Sequence, residues 1–598
     1  MSYLFIESVS FILENAPSHS IPLLMGILKN ENIDTSYINL NLILQNEFKN
    51  KQFIKYIYRN IDEIVNNKVE DKKKEKNVIL KELISSAYSV YSELPVLKIL
   101  QIANYALRIL KNKFLYNNLF LSNYSYMVLY KALSQISFFY SQLIHLIIPD
   151  CDNCRSTVQN RDFPINIELL EDFYDSELNI LKEFFDSTLK KSITKDVEGV
   201  GISINTPGQF ITGLYICKYI KQNFNCHVNI GGSFFNEYYN CITNIQDLFG
   251  KYFDSISIKN NTKTVVALVK YLRQQIDISS VPNIIYFDKK ININGGENTF
   301  NYNKIPYIEL GHIDKNDYII PNLVIPIQAS RSCYWAKCIF CDCSSNDEKY
   351  TVKSIKRLVD EIEFLKKKYK SEYFYFWDNA LHPNYLSRLA DELNARKLKI
   401  FFSIYARFEA EFNVELFRKL RKAGLLHICW GLDSASKRVI KYIDKGIDLD
   451  IVEKVLKESK KSNIYNKVYL ILGHPTETLK EIQETVNFVN QNADYIGDIT
   501  TNKSVYFLQN AIIQKNREFY KSQIKTNEKD RTVLIRSISK NCSGSMITSF
   551  SPTCLLYMAR YSVKKLFSEL KIFNLLQEYK IVRSINLNIY NLLWAIFR

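Results

Sequence analysis

Three cysteines in one short loop constrain this chain more than any other feature. The stretch Pro326–Cys343, PIQASRSCYWAKCIFCDC, sets Cys333, Cys338 and Cys341 in a C-x4-C-x2-C array. It follows the apolar run Asn322–Ile327, which predicts a β-strand. Thiolates gathered at a strand end are soft ligands, and two kinds of metal centre suit them. A [4Fe–4S] cube held by three cysteines keeps one iron open to a small ligand. A structural zinc asks for a fourth ligand, and Cys343 stands two residues further on. Ligand counting alone leaves both open.

The opening MSYLFIESVS lacks the basic and apolar build of a secretion signal, and the most apolar candidate span, Ile136–Ile148, is short and interrupted by polar residues including His145. The expectation is a cytoplasmic protein with no membrane span, whose 12 cysteines serve as thiols and ligands rather than disulfides. The net charge of +16 is dispersed through a sequence also rich in Asn, Ile and Tyr. The basic segment Lys525–Arg536 has acidic residues mixed into it and no aromatic platform pattern. Nucleic acid is therefore not the expected partner. A zinc-stabilised nucleic-acid-binding protein is the alternative from a different class, and it predicts strongly salt-dependent binding.

A length of 598 residues allows several cores. Tyr3–Ile6 reads as a strand, Ser20–Asn30 as a helix with Pro22 in its first turn, and Tyr37–Leu40 as a second strand. The pattern resumes with a strand at 197–204, a helix to about Gln222, and a strand at His227–Ile230 that ends on Gly231-Gly232-Ser233. Short strands fit Ser255–Ile258 and Asn283–Phe287, with a hairpin-like turn at Gly295-Gly296. Residues 1–43 and 196–300 thus read as one Rossmann-like open-sheet domain, and 44–195 as a helical insertion. The insertion contains a Lys- and Glu-rich stretch at 67–80 and the pair Cys151 and Cys154, which reads as turn cysteines or half a metal site.

After the cysteine loop the α/β alternation becomes regular. Helices are expected at Val352–Lys368, Tyr385–Arg396, Val414–Ala423 and Leu449–Lys461. Strands are expected at Tyr373–Trp377, Ile400–Tyr405, His427–Asp433 and Lys467–Leu472, with a further helix from about Leu479. Such a series implies a parallel sheet whose active face is the carboxyl end of its strands, where Asp378, Arg407, Asp433 and Gly473 fall. Lys445-Gly446 reads as a helix terminus that needs no chemistry. The domains expected are therefore 318–500 as a partial (β/α) barrel and 501–598 as a mainly helical region, with helices at Cys554–Leu576 and Ile585–Phe597 and a barrel-edge segment at Phe507–Ile512.

The segment Ser330–Cys341, SRSCYWAKCIFC, resembles the cluster loop of the radical S-adenosylmethionine (SAM) superfamily, with one more residue in the first gap than the usual C-x3-C-x2-C. GLDSAS at 431–436 and Gly473-His474-Pro475 resemble further segments of that family, where Asp433 stands in place of a more frequent Glu. APSHSIPLLMGIL at 16–28, GISINTPGQ at 201–209 and NIGGS at 229–233 resemble the cobalamin-binding domain of its B12-dependent members. No D-x-H-x-x-G motif occurs, and neither His19 nor His227 has the companions of a cobalt ligand.

The resemblance implies a [4Fe–4S] cluster on Cys333, Cys338 and Cys341, which are the catalytic and metal-ligating residues. It places SAM among Tyr334, Asp378, Arg407, Asp433, Gly473 and Pro475, and cobalamin beside Gly231 and Gly232. Arg407 would offer its donor fork to the SAM carboxylate, and Asp378 or Asp433 would accept from its amino group or ribose. The implied activity is reductive SAM cleavage and hydrogen abstraction from an unactivated carbon, fed by a flavodoxin- or ferredoxin-like reductant. With cobalamin the implied outcome is methylation of a peptide or small-molecule natural product. Without it, the outcome is oxidation, crosslinking or epimerisation. A non-catalytic scaffold that keeps the fold alone is a third reading.

Overall fold

A computed structural model describes residues 2–47, 167–311, 323–343 and 349–502 apart from short breaks, with a few positions near 52–56, 313–318 and 512–534. Outside the described residues lie Cys151, Cys154, the 67–80 stretch, Ile136–Ile148, the two helices expected after residue 550, and most of Phe507–Ile512 and Lys525–Arg536. The chain divides into two compact units, Met1–Pro321 and Asn322–Arg598. Among the described residues no helix is long and apolar enough to cross a membrane.

The first unit is built on a seven-stranded sheet in the order β2-β1-β3-β4-β5-β6-β7. Its strands are β1 (Ser2–Glu7), β2 (Thr35–Asn39), β3 (Val197–Ser203), β4 (His227–Gly231), β5 (Ser255–Ser257), β6 (Ile284–Asp288) and β7 (Lys290–Asn294). The first five run parallel, and β6 pairs antiparallel with both β5 and β7. The helices are α1 (Ser20–Asn30), α2 (Leu40–Glu47), α3 (Ile167–Asp175), α4 (Lys182–Ser192), α5 (Pro207–Asn223), α6 (Ser233–Glu237) and α7 (Thr262–Leu272). One face of the sheet packs Tyr3 and Phe5 with Ile21, Met25 and Leu28 of α1 and Val265, Leu268 and Val269 of α7. The strand order reverses direction at β1, the kind of switch point at which open sheets form a crevice.

The hairpin turn falls at Lys289, which takes φ +58° between β6 and β7, not at Gly295-Gly296. The β7 strand alternates Lys and Asn with Ile and has little apolar content, so its pairing with β6 was not visible in the pattern.

The second unit is a six-stranded, wholly parallel sheet in the order β15-β14-β13-β12-β11-β8. Its strands are β8 (Val324–Ile327), β11 (Tyr373–Phe376), β12 (Phe401–Ala406), β13 (Leu425–Asp433), β14 (Tyr465–Ile471) and β15 (Asp498–Asn502). Between β8 and β11, β9 (Ser330–Arg331) and β10 (Thr351–Val352) form a two-stranded antiparallel ladder that brackets the cysteine loop. The helices are α8 (Ile355–Tyr369), α9 (Pro383–Ala395), α10 (Val414–Lys422), α11 (Lys437–Tyr442), α12 (Leu449–Lys461) and α13 (Leu479–Gln491). Among the described residues the sheet does not close, so the architecture is a partial barrel. Its first and last strands, β8 and β15, are edges.

Local chemistry sets the helix starts. Ser354 and Asn413 accept backbone N–H bonds from Arg357 and Leu416, and Thr478 with Glu481 forms a reciprocal capping box. Strand alternation then sorts the faces. Phe374, Phe402, Ile428, Trp430 and Val468 are fully buried, and Trp430 stacks on Phe408 at 4.6 Å and meets Phe412 and Phe417 edge-on. Alternate positions carry polar groups: Tyr375 and Tyr405 join hydroxyls at 2.7 Å, and Lys467 on β14 pairs with Asp498 on β15 at 2.9 Å, both buried.

Candidate functional site

The cysteine loop leaves the carboxyl end of β8 and is tied down by Asp378, just past the end of β11. The Asp378 carboxylate accepts the Ala329 N–H at 3.1 Å, the Ser330 N–H at 2.5 Å and the Ser330 hydroxyl at 2.7 Å. Burial pushes this carboxyl up to about 6 against the pull of those donors. The carboxylate expected to meet SAM thus accepts bonds from the residues three to four before Cys333. Cys338 is buried while Cys333 and Cys341 are half-buried, and the Cys341 N–H closes a turn on the Cys338 carbonyl at 3.1 Å.

Arg407, just beyond the end of β12, holds the aromatic side of the loop. Its guanidinium lies 4.4 Å from the Trp335 ring centre and 5.9 Å from that of Tyr334. It also bonds Glu409 at 3.1 Å and the Lys445 carbonyl at 2.8 Å. The Tyr334 hydroxyl donates to the same Glu409 oxygen at 2.9 Å, and the Trp335 indole N–H donates to the Asp444 carbonyl at 2.7 Å. The indole lies over Gly446, where a Cβ would come 2.0 Å from the ring and φ is +64°. Only glycine fits there. Ile339, next to Cys338, donates its N–H to the Ile443 carbonyl at 3.1 Å. The segment after α11, read from sequence as a plain helix end, is therefore the floor of the cysteine loop.

Lys445 is the residue that sequence reasoning missed. Its side chain is buried and its ammonium lies 2.5 Å from Asp433 Oδ2 and 6.0 Å from the ring centre of Phe340, inside the loop. Burial works to lower this ammonium, but the Asp433 carboxylate and the Cys338 thiol together push it above its ordinary value. Burial in turn pushes the Cys338 thiol up to about 11, with the Lys445 charge opposing it. Lys and Gly after a short amphipathic helix signalled a cap. Its contact with Asp433 depends on a bulge at the end of β13, which spacing does not reveal.

The next strand end brings Gly473, His474, Pro475 and Glu477. Glu477 accepts the N–H groups of Gly473 at 2.5 Å and His474 at 3.1 Å and, buried, rises to about 7. His474 is wholly buried against Phe340 at 5.6 Å, with neither ring nitrogen hydrogen-bonded, and burial holds it down at about 4. Ser332, Ala336, Asp433 and Thr476, none of them glycine, all take φ between +47° and +64° along this rim. Such positions carry local strain and cluster where function over-determines the backbone.

Lys445 thus joins Asp433 through its ammonium and Arg407 through its carbonyl, Glu409 joins Arg407 to Tyr334, and His474, between Gly473 and Pro475 in the chain, rests on Phe340 of the loop. Cys343 accepts the Asn379 amide at 3.0 Å. Three thiols on one loop beside a buried cation suit a cubane, which takes each thiolate on a separate iron. Among the described residues no three His, Cys, Asp or Glu side chains are gathered for a single ion.

In the first unit Gly232 has φ +125°, and a Cβ there would come 2.1 Å from the Ile204 carbonyl oxygen. Backbone packing thus requires this glycine whatever lies beyond the edge. Gly231 shares the same strand end, and Ser233 bonds Asn205 across it at 3.1 Å. His227 points along the sheet to Ser255 at 2.8 Å.

The fold and this loop define a thiol-bearing parallel α/β protein with its chemistry at the carboxyl edge. Residues 327–489 match the family model of the radical SAM superfamily, and the chain carries a radical SAM domain. An uncharacterized methyltransferase of Pyrococcus horikoshii is 25% identical over 173 residues, which are 28% of this chain and 37% of that protein. The anaerobic magnesium-protoporphyrin IX monomethyl ester cyclase of Rubrivivax gelatinosus is 27% identical over 176 residues, 29% of this chain and 32% of that one. The chain thus spans about a third of the length of these curated relatives. Among solved structures, the cobalamin-dependent SAM radical enzyme OxsB with aqua-cobalamin gives a TM-score of 0.42 at 17% identity, covering 60% of this chain and 51% of that one. The radical SAM methyltransferase TsrM of Kitasatospora setae gives 0.47 at 11% identity, covering 84% and 75%.

Proposed function

We propose that this chain is a radical SAM enzyme in which Cys333, Cys338 and Cys341 ligate a [4Fe–4S] cluster, and that it methylates a peptide or small-molecule natural product with cobalamin as the methyl carrier. The observation that carries the reading is the three-cysteine loop, anchored by Asp378 and Arg407 at the carboxyl edge of the parallel sheet within the matched segment. When bound, the cluster and SAM supply hydrogen abstraction from an unactivated carbon, and cobalamin supplies the methyl group.

The chain's own residues do the positioning. Asp378 fixes the entry to the loop, Arg407 and Gly446 seat Trp335, and Asp433 with Lys445 closes the floor. Tyr334 and Trp335 shield the thiols from water. In the first unit, the edge formed by Ser203, Asn205 and Gly231–Ser233 is the candidate cobalamin seat, without a protein histidine on cobalt. The partners this implies are a flavodoxin- or ferredoxin-like electron donor and the substrate, in a cytoplasmic setting.

The test is anaerobic purification, reconstitution with iron and sulfide, and counting of iron, zinc and cobalamin in wild type and in a Cys333→Ala, Cys338→Ala, Cys341→Ala variant. About four irons lost with the cysteines support the cluster. Bound cobalamin supports methylation, whereas a cluster without it moves the reading to oxidation, crosslinking or epimerisation. A cysteine-dependent zinc in place of iron would overturn the cluster assignment.

A further inference from the structure

We propose that Lys445 is the positioning residue that sets the reduction potential of the cluster on Cys338, its buried ammonium favouring the reduced form. The inference rests on the function proposed above and adds to it a role for a residue that makes no bond to the cluster.

Four observations place the charge. The Ile339–Ile443 backbone bond at 3.1 Å ties the residue after Cys338 to the segment that carries Lys445. Arg407 fixes the Lys445 carbonyl at 2.8 Å, so the side chain leaves from an immobilised backbone. Gly431 on β13 leaves the ammonium its room, since a Cβ there would come 3.0 Å from Nζ. The ammonium then sits 2.5 Å from Asp433 and 6.0 Å from the ring centre of Phe340, which lies between Cys338 and Cys341.

A buried ion pair of this kind is a weak source of stability, because desolvation offsets its attraction. Beside a cluster it acts as an oriented dipole. The ammonium is the end placed against the cysteine loop, 6.0 Å from the ring centre of Phe340 between Cys338 and Cys341. Reduction adds one electron to the cluster and breaks no bond. The added negative charge is stabilised by a nearby cation, and cluster potentials follow local charge and exposure.

The experiment is a redox titration of the reconstituted full chain with dithionite and mediator dyes before SAM is added, followed by the electron paramagnetic resonance signal of the reduced cluster. Lys445→Met and Lys445→Gln are expected to disfavour reduction at least tenfold, which is 59 mV for a one-electron couple. Lys445→Arg should stay near wild type, and Asp433→Asn should move the potential the opposite way, upwards. Met and Gln variants with an intact cluster and an unmoved potential would overturn the proposal. So would loss of the cluster from the Met, Gln and Asn variants while their circular dichroism stays native, since the two residues would then serve assembly. A wild-type protein that takes up no cluster would sink the proposed function as well, whereas a loaded wild type with unmoved variants sinks this inference alone.

Discussion

Removing the Asp378 carboxylate tests how the cysteine loop is held. Asp378→Ala strands three donors in the interior: the N–H groups of Ala329 and Ser330 and the Ser330 hydroxyl. An orphaned buried donor costs about 1–3 kcal/mol, and water entering the space left by the side chain recovers part of it, so a net loss of roughly 3 kcal/mol is expected. For a unit of this size that is a fall in melting temperature of about 6–12 °C. Asp378→Asn keeps one acceptor oxygen and should lose about half as much.

The pH dependence has a definite sign. Burial raises this carboxyl to about 6, whereas an unfolded Asp titrates near 3.9. The folded state therefore binds the proton more tightly, and the stability it contributes is full below about pH 4 and lost as pH rises through 6. The stability of wild type relative to Asp378→Asn should fall by about 2–3 kcal/mol across that window. Urea unfolding at pH 4 and pH 7, with melting curves beside it, measures both quantities. An alanine variant that melts within about a degree of wild type and holds iron equally well would refute the anchoring role.

Gly446→Ala forces a Cβ into Trp335 at a left-handed position. It should cost about 2 kcal/mol or more by displacing the indole from the Asp444 carbonyl, read as a lower melting temperature and weaker iron retention. His474 is held at about 4 by burial, below the usual 6.5, so its contribution is full above pH 6.5 and lost as pH falls towards 4. His474→Phe should remove that acid sensitivity without lowering stability at pH 7, since neither ring nitrogen has a hydrogen-bond partner to lose. Lys467→Met leaves Asp498 buried without its cation and should cost about 3–5 kcal/mol, whereas Lys467→Met with Asp498→Leu should recover most of it in urea unfolding.

The repeated α/β cycles of the second unit were legible because their helices follow a 3.6-residue apolar stripe and their strands are short apolar runs, so the ends of α8, α10 and β12 fell within three residues of expectation. The sixth strand, β15, was not. Its sequence, DITTN, carries one large apolar residue, and it is recruited by pairing with β14 rather than by its own pattern. The site divides in the same way. Cysteine spacing announces itself, and so do charged residues at strand ends. The partners of those charges do not: Asp378 turns back onto Ser330, and Asp433 finds Lys445 twelve residues on, because a bulge and a left-handed backbone redirect the side chain.

The most direct test of the central claim is SAM cleavage by the reconstituted, reduced protein, followed as 5′-deoxyadenosine. The proposed function predicts steady formation in wild type and none in the Cys333→Ala, Cys338→Ala, Cys341→Ala variant. A preparation carrying about four irons that forms no 5′-deoxyadenosine, or forms it equally in the triple variant, would contradict it.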